Sequence, residues 1–379
     1  MNTHHANSPM PETGMIDMTR TMPPFIEELE DHIRHGLAQV AARQDLATLI
    51  QRHHFFGSAP ERQTAAAWLS RRMDAPISGD RVYMTGGTQN ALQILLPRLA
   101  GVGGCIATEE LSYAGTTQIS RLFGMKLVGV PIDDGGIVSE AFREVCERHA
   151  PKVLYCNPTI HNPTASVLSE ERRKAVAAIA REHGVAIIED DVHGMIVDNA
   201  PRPIAHYAPD ITWYLMSVSK CIGMGLRTAF LVGPDHAALT DLCGPVQSLS
   251  SWFVPGISSA LVMHLVDTGA ADRIAGMIRN EVRARQNLAT EALKGLSFRT
   301  HPNALHLWLN LPDRWTPSAL TEAVRHFGVQ MRPSDLFNAG GIEMPNSVRL
   351  SLVAPATRDD VRYAVRSVAA LLQTSAKAR

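Results

Sequence analysis

Lys220 is the residue of this sequence that most directly raises a chemical question. It follows the run ITWYLMSVS, whose length and content of β-branched and aromatic residues predict a buried strand. A lysine at the carboxyl end of such a strand lies where open α/β sheets bind their ligands. Burial disfavours the ammonium form, and a neutral amine can attack a carbonyl group to form an imine. The position alone leaves a structural lysine as the alternative.

Three consecutive acids end a second apolar run. The segment VAIIEDDVHGM places Glu189, Asp190 and Asp191 at the carboxyl end of a predicted strand. Acids at this place serve as helix caps, as magnesium ligands, or as a carboxylate that keeps a pyridine nitrogen protonated and so makes the ring an electron sink. The cluster by itself leaves these roles open.

Two further segments join a strand to a turn. VYMTGGTQNALQILL predicts a strand, a glycine turn and a helix start, and such a junction offers free backbone N–H groups to an anion through Gly87, Thr88 and Gln89. YCNPTIHNPTA carries two Asn-Pro-Thr triplets directly after a strand. Both segments are also ordinary turn signals, so neither establishes a ligand site alone.

A tyrosine and an arginine complete the set. Tyr113, in EELSYAGT, follows a strand, where it either packs or stacks on an aromatic ligand. Arg349 lies inside the apolar strand pattern NSVRLSLV, where it is either part of a surface alternation or a planar fork for a carboxylate.

The elements that must position these residues alternate between strand and helix. From about residue 60 onward, strands are predicted at 81–85, 105–108, 126–131, 152–157, 185–189, 212–217 and 228–232. Runs such as VAII and KVLYC are apolar throughout, as in strands that are covered on both faces. The sequence therefore predicts an α/β fold built on a mainly parallel seven-stranded sheet.

The remainder of the chain predicts a smaller α+β unit. An amphipathic helix follows the prolines of PPFIEELEDHIRHGLAQVAARQ, and a long helical segment at 258–296 breaks near DTGAAD. Strand patterns ALHLWLNL and SVRLSLV then alternate with helices at 318–327 and 357–372. We expect an N-terminal arm and helix at 1–50, a large domain at 51–270 and a small domain at 271–379.

Composition excludes several classes of function. The 379 residues are 45% hydrophobic and 19% charged, with 36 basic and 37 acidic side chains and a net charge of −1, so no global field favours nucleic acid or an anionic membrane. Five widely spaced cysteines without a CxxC pair indicate neither a disulfide framework nor a zinc site, and no metal is expected. With no signal peptide or membrane-length apolar run, we expect a cytoplasmic location.

Taken in order, the motifs resemble one known family. The succession TGGTQNAL, EELSYAG, NPTIHNPTA, IIEDDVH, SVSKCIGMGLR and VRLSLV is similar to the fold-type I aminotransferases of class I/II, which depend on pyridoxal phosphate (PLP). The similarity extends over roughly residues 50–355 and is closest to the aminotransferase-like domain of MocR-type regulators and their stand-alone relatives. It implies PLP as cofactor, an amino acid and a 2-oxo acid as substrates, and a homodimer whose subunits share their active sites.

The resemblance also implies a role for each matching residue. Lys220 would form the internal aldimine and then carry the proton between the substrate Cα and the cofactor. Asp190 would pair with the pyridinium nitrogen, and Tyr113 would stack on the ring. Asn162 would contact the phenolic oxygen and the substrate, and Arg349 would hold the α-carboxylate. The phosphate would be held by Gly87, Thr88, Gln89, Ser217, Ser219 and Arg227.

The sequence departs from the family pattern at three places. His193 stands where the family has a tyrosine that bonds the phenolic oxygen, and an unperturbed histidine titrates near neutrality. QRHHFFGSAP lacks the tyrosine that reaches the neighbouring subunit's phosphate, and Arg52 or His53 are the substitutes. MIDMTRTMPP lacks the family's glycine-containing substrate loop, which makes Arg20 a candidate substrate contact.

Two alternatives to transamination follow. The same scaffold and cofactor support elimination, cyclisation or oxidation of an amino acid, and the change at His193 leaves these open. A regulator-like effector sensor is the other, but only about 50 residues precede the similar region and the net charge is near zero, which disfavours DNA binding.

Overall fold

The structure is a computed structural model and describes residues 14–52, 55–249 and 254–373. The helices are α1 (Glu27–Ala41), α2 (Leu46–Gln51), α3 (Ala59–Met73), α4 (Thr88–Ala100), α5 (Ala114–Leu122), α6 (Ser139–His149), α7 (Glu170–Glu182), α8 (Ile204–Tyr207), α9 (His236–Cys243), α10 (Gly256–Asp267), α11 (Ala270–Ala292), α12 (Pro317–Arg325) and α13 (Arg358–Gln373). The strands are β1 (Ile16–Asp17), β2 (Val82–Thr85), β3 (Cys105–Glu109), β4 (Lys126–Val130), β5 (Ile132–Asp133), β6 (Gly136–Ile137), β7 (Val153–Cys156), β8 (Ala186–Asp190), β9 (Thr212–Ser217), β10 (Ala229–Val232), β11 (Phe298–Arg299), β12 (His306–Asn310), β13 (Val329–Gln330), β14 (Arg332–Pro333) and β15 (Ser347–Ser351).

A seven-stranded sheet forms the centre of the fold. Its strand order is β2-β10-β9-β8-β7-β3-β4, and every neighbouring pair is parallel except the two that involve β10. Both faces are covered: on β9, Tyr214 and Met216 belong to one apolar core, whereas Trp213 and Leu215 belong to another. This double burial is why the strand segments are apolar throughout, and the predicted fold class is confirmed.

A four-stranded antiparallel sheet of order β11-β12-β15-β14 forms a second layer with α11, α12 and α13. The N-terminal segment joins this part, because β1 pairs in parallel with β13. Helix α11 links the two parts: Ile274 and Ile278 pack in the core of the large sheet, and Ala289 packs in the core of the small one. The predicted domain boundaries after residues 50 and 270 remain predictions.

The predicted strands of the large sheet agree with the structure to within one residue at each end. The predicted helix break falls at residues 268 and 269, where Gly269 has a φ of 68° that favours glycine. The short pairs β5–β6 and β1–β13 were not predicted, since two-residue strands leave no periodic signal. All five cysteines are free. Within the described ranges, no helix is both long and apolar enough to cross a membrane.

Candidate active site

A cleft of about 280 Å³ opens at the carboxyl ends of β2, β7, β8 and β9. The carboxyl edge of an open α/β sheet is the usual place for a ligand. The cleft is lined by Thr21, Gly87, Thr88, Gln89, Tyr113, Tyr155, Asn157, Asn162, Asp190, Val192, His193, Ser217, Ser219, Lys220, Met224 and Arg227. The structure thus brings together eleven of the thirteen site residues predicted from the sequence; the other two, Arg20 and Arg349, are not among the lining residues.

The three acids at the end of β8 have different surroundings, because successive side chains of a strand point to opposite faces. Glu189 is fully buried and lies 3.3 Å from Nη1 of Arg173. Its carboxylate also accepts the backbone N–H groups of Ile204 at 2.9 Å and Ala205 at 2.8 Å. Burial raises the pKa of Glu189 to about 7, against the opposing charge of Arg173. Glu189 is therefore a structural acid that ties β8 to α8.

Asp191 is equally buried and also paired. Its Oδ2 lies 2.8 Å from Nε of Arg72 and accepts the hydroxyl of Tyr214 at 2.9 Å. A buried carboxylate with an arginine and a tyrosine donor has its charge compensated within the protein. The carboxylate of Asp191 is therefore already paired within the protein and is not available to a ligand.

Asp190 faces the cleft and is the acid without a cationic side chain bonded to it. Its Oδ2 accepts the hydroxyl of Tyr155 at 2.8 Å. Its Oδ1 is buried and has no hydrogen-bond partner among the described residues. Burial raises the pKa of Asp190 to about 6, while the bond from Tyr155 and the nearby charge of Lys220 act in the opposite direction. A positively charged ligand group at Oδ1 would satisfy this oxygen.

Lys220 projects into the same cleft from the turn that follows β9. Its Nζ donates to the carbonyl oxygen of Thr21 and lies 3.4 Å from the Thr21 hydroxyl. Burial, and secondly the charge of Arg349, lower the pKa of Lys220 to about 8, and Asp190 opposes the shift. A substantial fraction of the amine is therefore neutral near physiological pH, as nucleophilic attack on a carbonyl requires.

Thr21 reaches Lys220 because the segment 17–21, called the strap below, crosses from the small sheet to the large one. The strap is fixed at several points: Met18 N donates to Gln330 O at 2.7 Å, and Ser351 N donates to Met18 O at 2.8 Å. Arg349 donates to the carbonyl oxygen of Thr19. The strap therefore closes the cleft on the side of Lys220 and is anchored on β15.

One end of the cleft is built for an anion. Helix α4 begins after Gly87 without a side-chain cap, and Gly87, Thr88 and Gln89 line the cleft. The first backbone N–H groups of a helix bind anions. Nη2 of Arg227 lies beside Gly87 and donates to Gly86 O at 2.9 Å. A Cβ at residue 87 would meet that Nη2 at 2.6 Å, and the φ of 106° also requires glycine. Ser217 and Ser219 lie at the same end, where Ser217 Oγ accepts Ser219 N at 3.1 Å.

The sides of the cleft carry the predicted aromatic and amide groups. The Tyr113 hydroxyl accepts Nε2 of Gln89 at 2.6 Å, and Gly115 gives the tyrosine ring room, since a Cβ there would lie 2.4 Å from it. Asn162 Oδ1 accepts Nη1 of Arg349 at 2.7 Å. Arg349 is 4% exposed and stands behind Asn162 rather than on the cleft wall. It is thus linked to the cleft through one amide.

His193 occupies the cleft wall next to Asp190. The side chain is 2% exposed, and neither ring nitrogen has a hydrogen-bond partner within the described part of the chain. The backbone of Thr159 faces the ring without reaching normal hydrogen-bond geometry. Burial, followed by the charge of Lys220, lowers the pKa of His193 to about 3. The expectation of titration near neutrality is therefore wrong, and His193 is a neutral imidazole at physiological pH.

Other predicted residues lie elsewhere. Arg20 is on the strap, where its Nε lies 3.8 Å from Asp17, and it is not among the cleft-lining residues. Arg52 is exposed at the end of α2. The alternative residue His53 lies outside the described residues, so the cross-subunit contact stays a prediction.

Five lining residues were not predicted: Thr21, Tyr155, Asn157, Val192 and Met224. Tyr155 and Asn157 follow the same strand-end rule that identified Asp190, so the sequence held a usable signal for them. Thr21 had none, since its contact with Lys220 spans 199 positions of the chain.

The residues present fit pyridoxal phosphate. The cofactor needs an anion site, a carboxylate for its ring nitrogen and a lysine for its aldehyde. The cleft holds Arg227 with the α4 terminus, Lys220, and the Oδ1 of Asp190, which has no hydrogen-bond partner among the residues that the structure describes. The glycine at 87 leaves space for close approach by a phosphate, as a Cβ there would not.

Comparison with known proteins gives the same assignment at two levels. The fold is that of aminotransferases: an archaeal alanine:glyoxylate aminotransferase superposes with a TM-score of 0.86 at 21% identity, and the match covers 95% of this chain and 91% of that one. The sequence gives the family, because residues 29–368 match aminotransferase class I and II. The chain belongs to this family and is a PLP-dependent transferase.

Individual relatives are of two kinds. One is a 2-aminoadipate transaminase of Thermus thermophilus, 28% identical over 84% of this chain and 80% of that protein. Another is an uncharacterized HTH-type transcriptional regulator of Bacillus subtilis, 24% identical over 84% of this chain and 69% of that protein. For two further regulators of the same organism, the match spans 57% and 52% of the regulator's length.

Proposed function

We propose that this protein transfers an amino group from an amino acid to a 2-oxo acid, with Lys220 as the residue that binds the cofactor and carries the proton. The observation that supports this most strongly is the meeting of three groups in one cleft. A lysine whose pKa is lowered to about 8 lines the same cleft as an anion site at Arg227 and a buried carboxylate oxygen of Asp190 that has no partner among the described residues. Bound pyridoxal phosphate supplies a ring that accepts electrons from the substrate Cα.

The protein residues divide the remaining work. Asp190 would hold a positive charge at the ring nitrogen, and Tyr113 would pack against the ring. Lys220 would accept the proton from the substrate Cα and later give it back, which its lowered pKa permits near neutral pH. The strap places Thr21 beside Nζ, which covers one side of that amine.

The substrate carboxylate is assigned to Arg349. The guanidinium is buried, carries its charge at pH 7, and is oriented by Asn162 and by the carbonyl oxygen of Thr19. A planar cation held at two points is suited to a carboxylate, which it binds through two parallel hydrogen bonds.

The test is a spectroscopic and product assay. The purified protein is loaded with PLP and titrated with single amino acids. These include 2-aminoadipate, after the Thermus thermophilus relative, and the aromatic amino acids, after another relative, an aromatic-amino-acid aminotransferase of Thermococcus litoralis. Stoichiometric release of a 2-oxo acid, followed by amino acid formation on addition of a second 2-oxo acid, is the expected result. A product that has lost a substituent or consumed oxygen would contradict transamination.

The regulators among the relatives support a second candidate, a PLP-binding effector sensor without turnover. The same assay separates the two candidates, because a sensor changes its absorbance with an amino acid and releases no 2-oxo acid. Retention of a specific DNA fragment in a gel shift would favour the sensor.

We also propose a homodimer. Large apolar side chains are exposed on or next to α1, α2 and α10, and α10 packs against both α1 and α2: Phe25 is 72% exposed, Ile50 61% and Ile257 44%. Exposed large apolar residues on neighbouring elements indicate a protein contact. Light scattering of the wild type and of Ile50→Glu tests this, and a wild type of about 41 kDa would contradict it.

A further inference from the structure

We infer that Tyr155 is a positioning residue for the proposed reaction: its hydroxyl fixes one oxygen of Asp190 so that the other points at the cofactor. The inference rests on the proposed function, because it assigns a role toward the group that Asp190 would bind. Tyr155 lies at the end of β7, and its sequence context predicts only an apolar strand.

The geometry joins two neighbouring strands. In the parallel pair β7–β8, Tyr155 is the register partner of Ile188, two positions before Asp190, so both side chains lie on the same face of the sheet. The Tyr155 hydroxyl donates to Asp190 Oδ2 at 2.8 Å, and both side chains are at most 4% exposed. The main-chain oxygen of Asp190 accepts Nδ2 of Asn157. Asp190 is thus held from β7 at its backbone and at its side chain.

The consequence concerns the free oxygen. With Oδ2 engaged, the carboxyl group cannot turn without breaking a buried hydrogen bond, and Oδ1 remains the oxygen that a ligand meets. The tyrosine also favours the ionised form of Asp190 against burial. Loss of its hydroxyl should raise the pKa of Asp190 further. The titratable groups that interact with Asp190 from the surrounding elements are Tyr155, Asp191, Lys220, Glu109, Tyr113 and Cys156.

The chain contains a matched control, because the next residue, Asp191, is also bonded by a tyrosine. Tyr214, on β9, donates its hydroxyl to Oδ2 of Asp191 at 2.9 Å, and it is as fully buried as Tyr155. Asp191 is paired with Arg72 and does not line the cleft. Removal of either hydroxyl therefore takes the same bond from an aspartate, and only one of the two aspartates is offered to the cofactor.

The experiment compares Tyr155→Phe with Tyr214→Phe. Both variants keep the aromatic ring, and each should lose a similar amount of stability in urea unfolding of the apoprotein. The dissociation constant of PLP is measured by absorbance titration at about pH 6 and about pH 8.5. We expect Tyr155→Phe to bind PLP about ten-fold more weakly than the wild type at the lower pH, with a smaller loss at the higher pH. Tyr214→Phe should stay within about two-fold at both.

A third variant tests whether the hydroxyl acts through Asp190. In an Asp190→Asn background, Tyr155→Phe should have little further effect on PLP binding, because the two changes remove one interaction. Equal PLP affinities of Tyr155→Phe and Tyr214→Phe at both pH values, or an undiminished effect of Tyr155→Phe in the Asp190→Asn background, would overturn the inference. A wild type that binds no PLP, or whose Lys220 is not trapped by borohydride, would instead overturn the proposed function, and the inference with it.

Discussion

The three acids at the carboxyl end of β8, Glu189, Asp190 and the following Asp191, lie in two different environments. On the packed face, Glu189 lies against Arg173 and Asp191 lies against Arg72, so each carboxylate has a guanidinium within 3.3 Å. On the cleft face, Asp190 has a tyrosine hydroxyl, and its Oδ1 has no partner in the described part of the protein. Three adjacent acids are therefore two structural ion pairs and one unsatisfied charge.

The difference between Asp190 and its two neighbours shows where the fold tolerates a buried carboxylate without a cationic partner. An unpaired buried carboxylate is costly, and a buried pair avoids most of that cost. The charges of Glu189 and Asp191 are compensated by arginines, whereas that of Asp190 is not. Asp190 is therefore available to a positively charged group of a ligand. His193 supports this view, since both of its ring nitrogens also lack partners among the described residues. Substitutions on the cleft face should thus reduce function, and those on the packed face should reduce stability.

Lys220→Ala should give the largest effect on the cleft face. Loss of the nucleophile and proton carrier should lower transamination by about 10⁴-fold and abolish borohydride trapping of PLP. The urea unfolding midpoint should not fall, because within the described part of the chain the side chain of Lys220 forms hydrogen bonds only with Thr21 of the strap. The control is Lys174→Ala, an exposed lysine paired with Glu170, which should change neither quantity. Trapping that survives in Lys220→Ala would assign the imine to another lysine.

Asp190→Asn should mainly reduce activity, whereas Asp191→Asn should mainly reduce stability. The first should reduce activity by roughly 10²–10³-fold, as expected for the loss of a directed charge in the site, with little loss of stability. The second leaves Arg72 buried and unpaired, which should cost about 3–5 kcal/mol in the free energy of unfolding while the folded fraction stays active. Urea unfolding measures the stability of the two variants, and the 2-oxo acid assay measures their activity. A greater activity loss in folded Asp191→Asn would break the comparison.

Arg349→Lys and Arg173→Lys extend the comparison to cations. A lysine at 349 loses the bidentate fork, so KM for the amino acid should rise about 10–100-fold with a smaller change in kcat. Arg173 donates to Leu168 O and Pro158 O and faces Glu189, and its replacement should lower stability by about 3 kcal/mol and leave KM unchanged. Steady-state kinetics with the preferred substrate, together with thermal unfolding, checks both. An unchanged KM in Arg349→Lys would remove Arg349 from substrate binding.

The free energy of unfolding of the apoprotein should depend on pH, because burial raises the pKa of Asp190. Its folded pKa is raised to about 6 from 3.8, so the stability it contributes is full at low pH and is lost as pH rises through 6. Asp190→Asn does not ionise, and we expect it to exceed the wild type by on the order of 2–3 kcal/mol at pH 8 and to converge with it near pH 4. Urea unfolding across that range is the measurement. Parallel curves would mean that the charge of Asp190 is already compensated.

His193→Tyr should have the smallest effect. The imidazole is neutral because burial lowers its pKa to about 3, so it supplies a neutral donor as a tyrosine does. Transamination should change by less than about ten-fold. Product analysis by mass spectrometry provides the check. A large gain in 2-oxo acid together with loss of a different product would show that His193 directs another reaction.

Local patterns in the sequence were sufficient for the large sheet and for most of the cleft. The apolar runs placed strand ends within one residue, and Lys220, Asp190, Asn162 and Arg227 meet because parallel strands end at one edge. Side chains alternate between the two faces of a strand, so Asp190 points to the opposite face from Glu189 and Asp191.

The rest depends on contacts that local patterns do not contain. Nothing in MIDMTRTMPP shows that this segment crosses to Lys220, since that contact arises only when β1 pairs with β13. The role of Tyr155 depends on the register between β7 and β8, and the run VLYC is equally typical of a simple core strand. The pKa of His193 is set by burial in the assembled fold, so the residue type alone gave the wrong value.

The connection between β9 and the antiparallel β10 bears on the order in which the site is completed. Ser217 bonds to Thr228 across 11 positions, whereas Lys220 bonds to Thr21 across 199 and Arg349 to Thr19 across 330. Short loops close at a lower entropic cost and sooner than long ones. We therefore expect Lys220 and Arg227 to come together early in folding, the α4 side of the anion site to join Arg227 across 141 positions later, and the strap to arrive last. Part of the cofactor site is thus expected to form before the substrate side is complete.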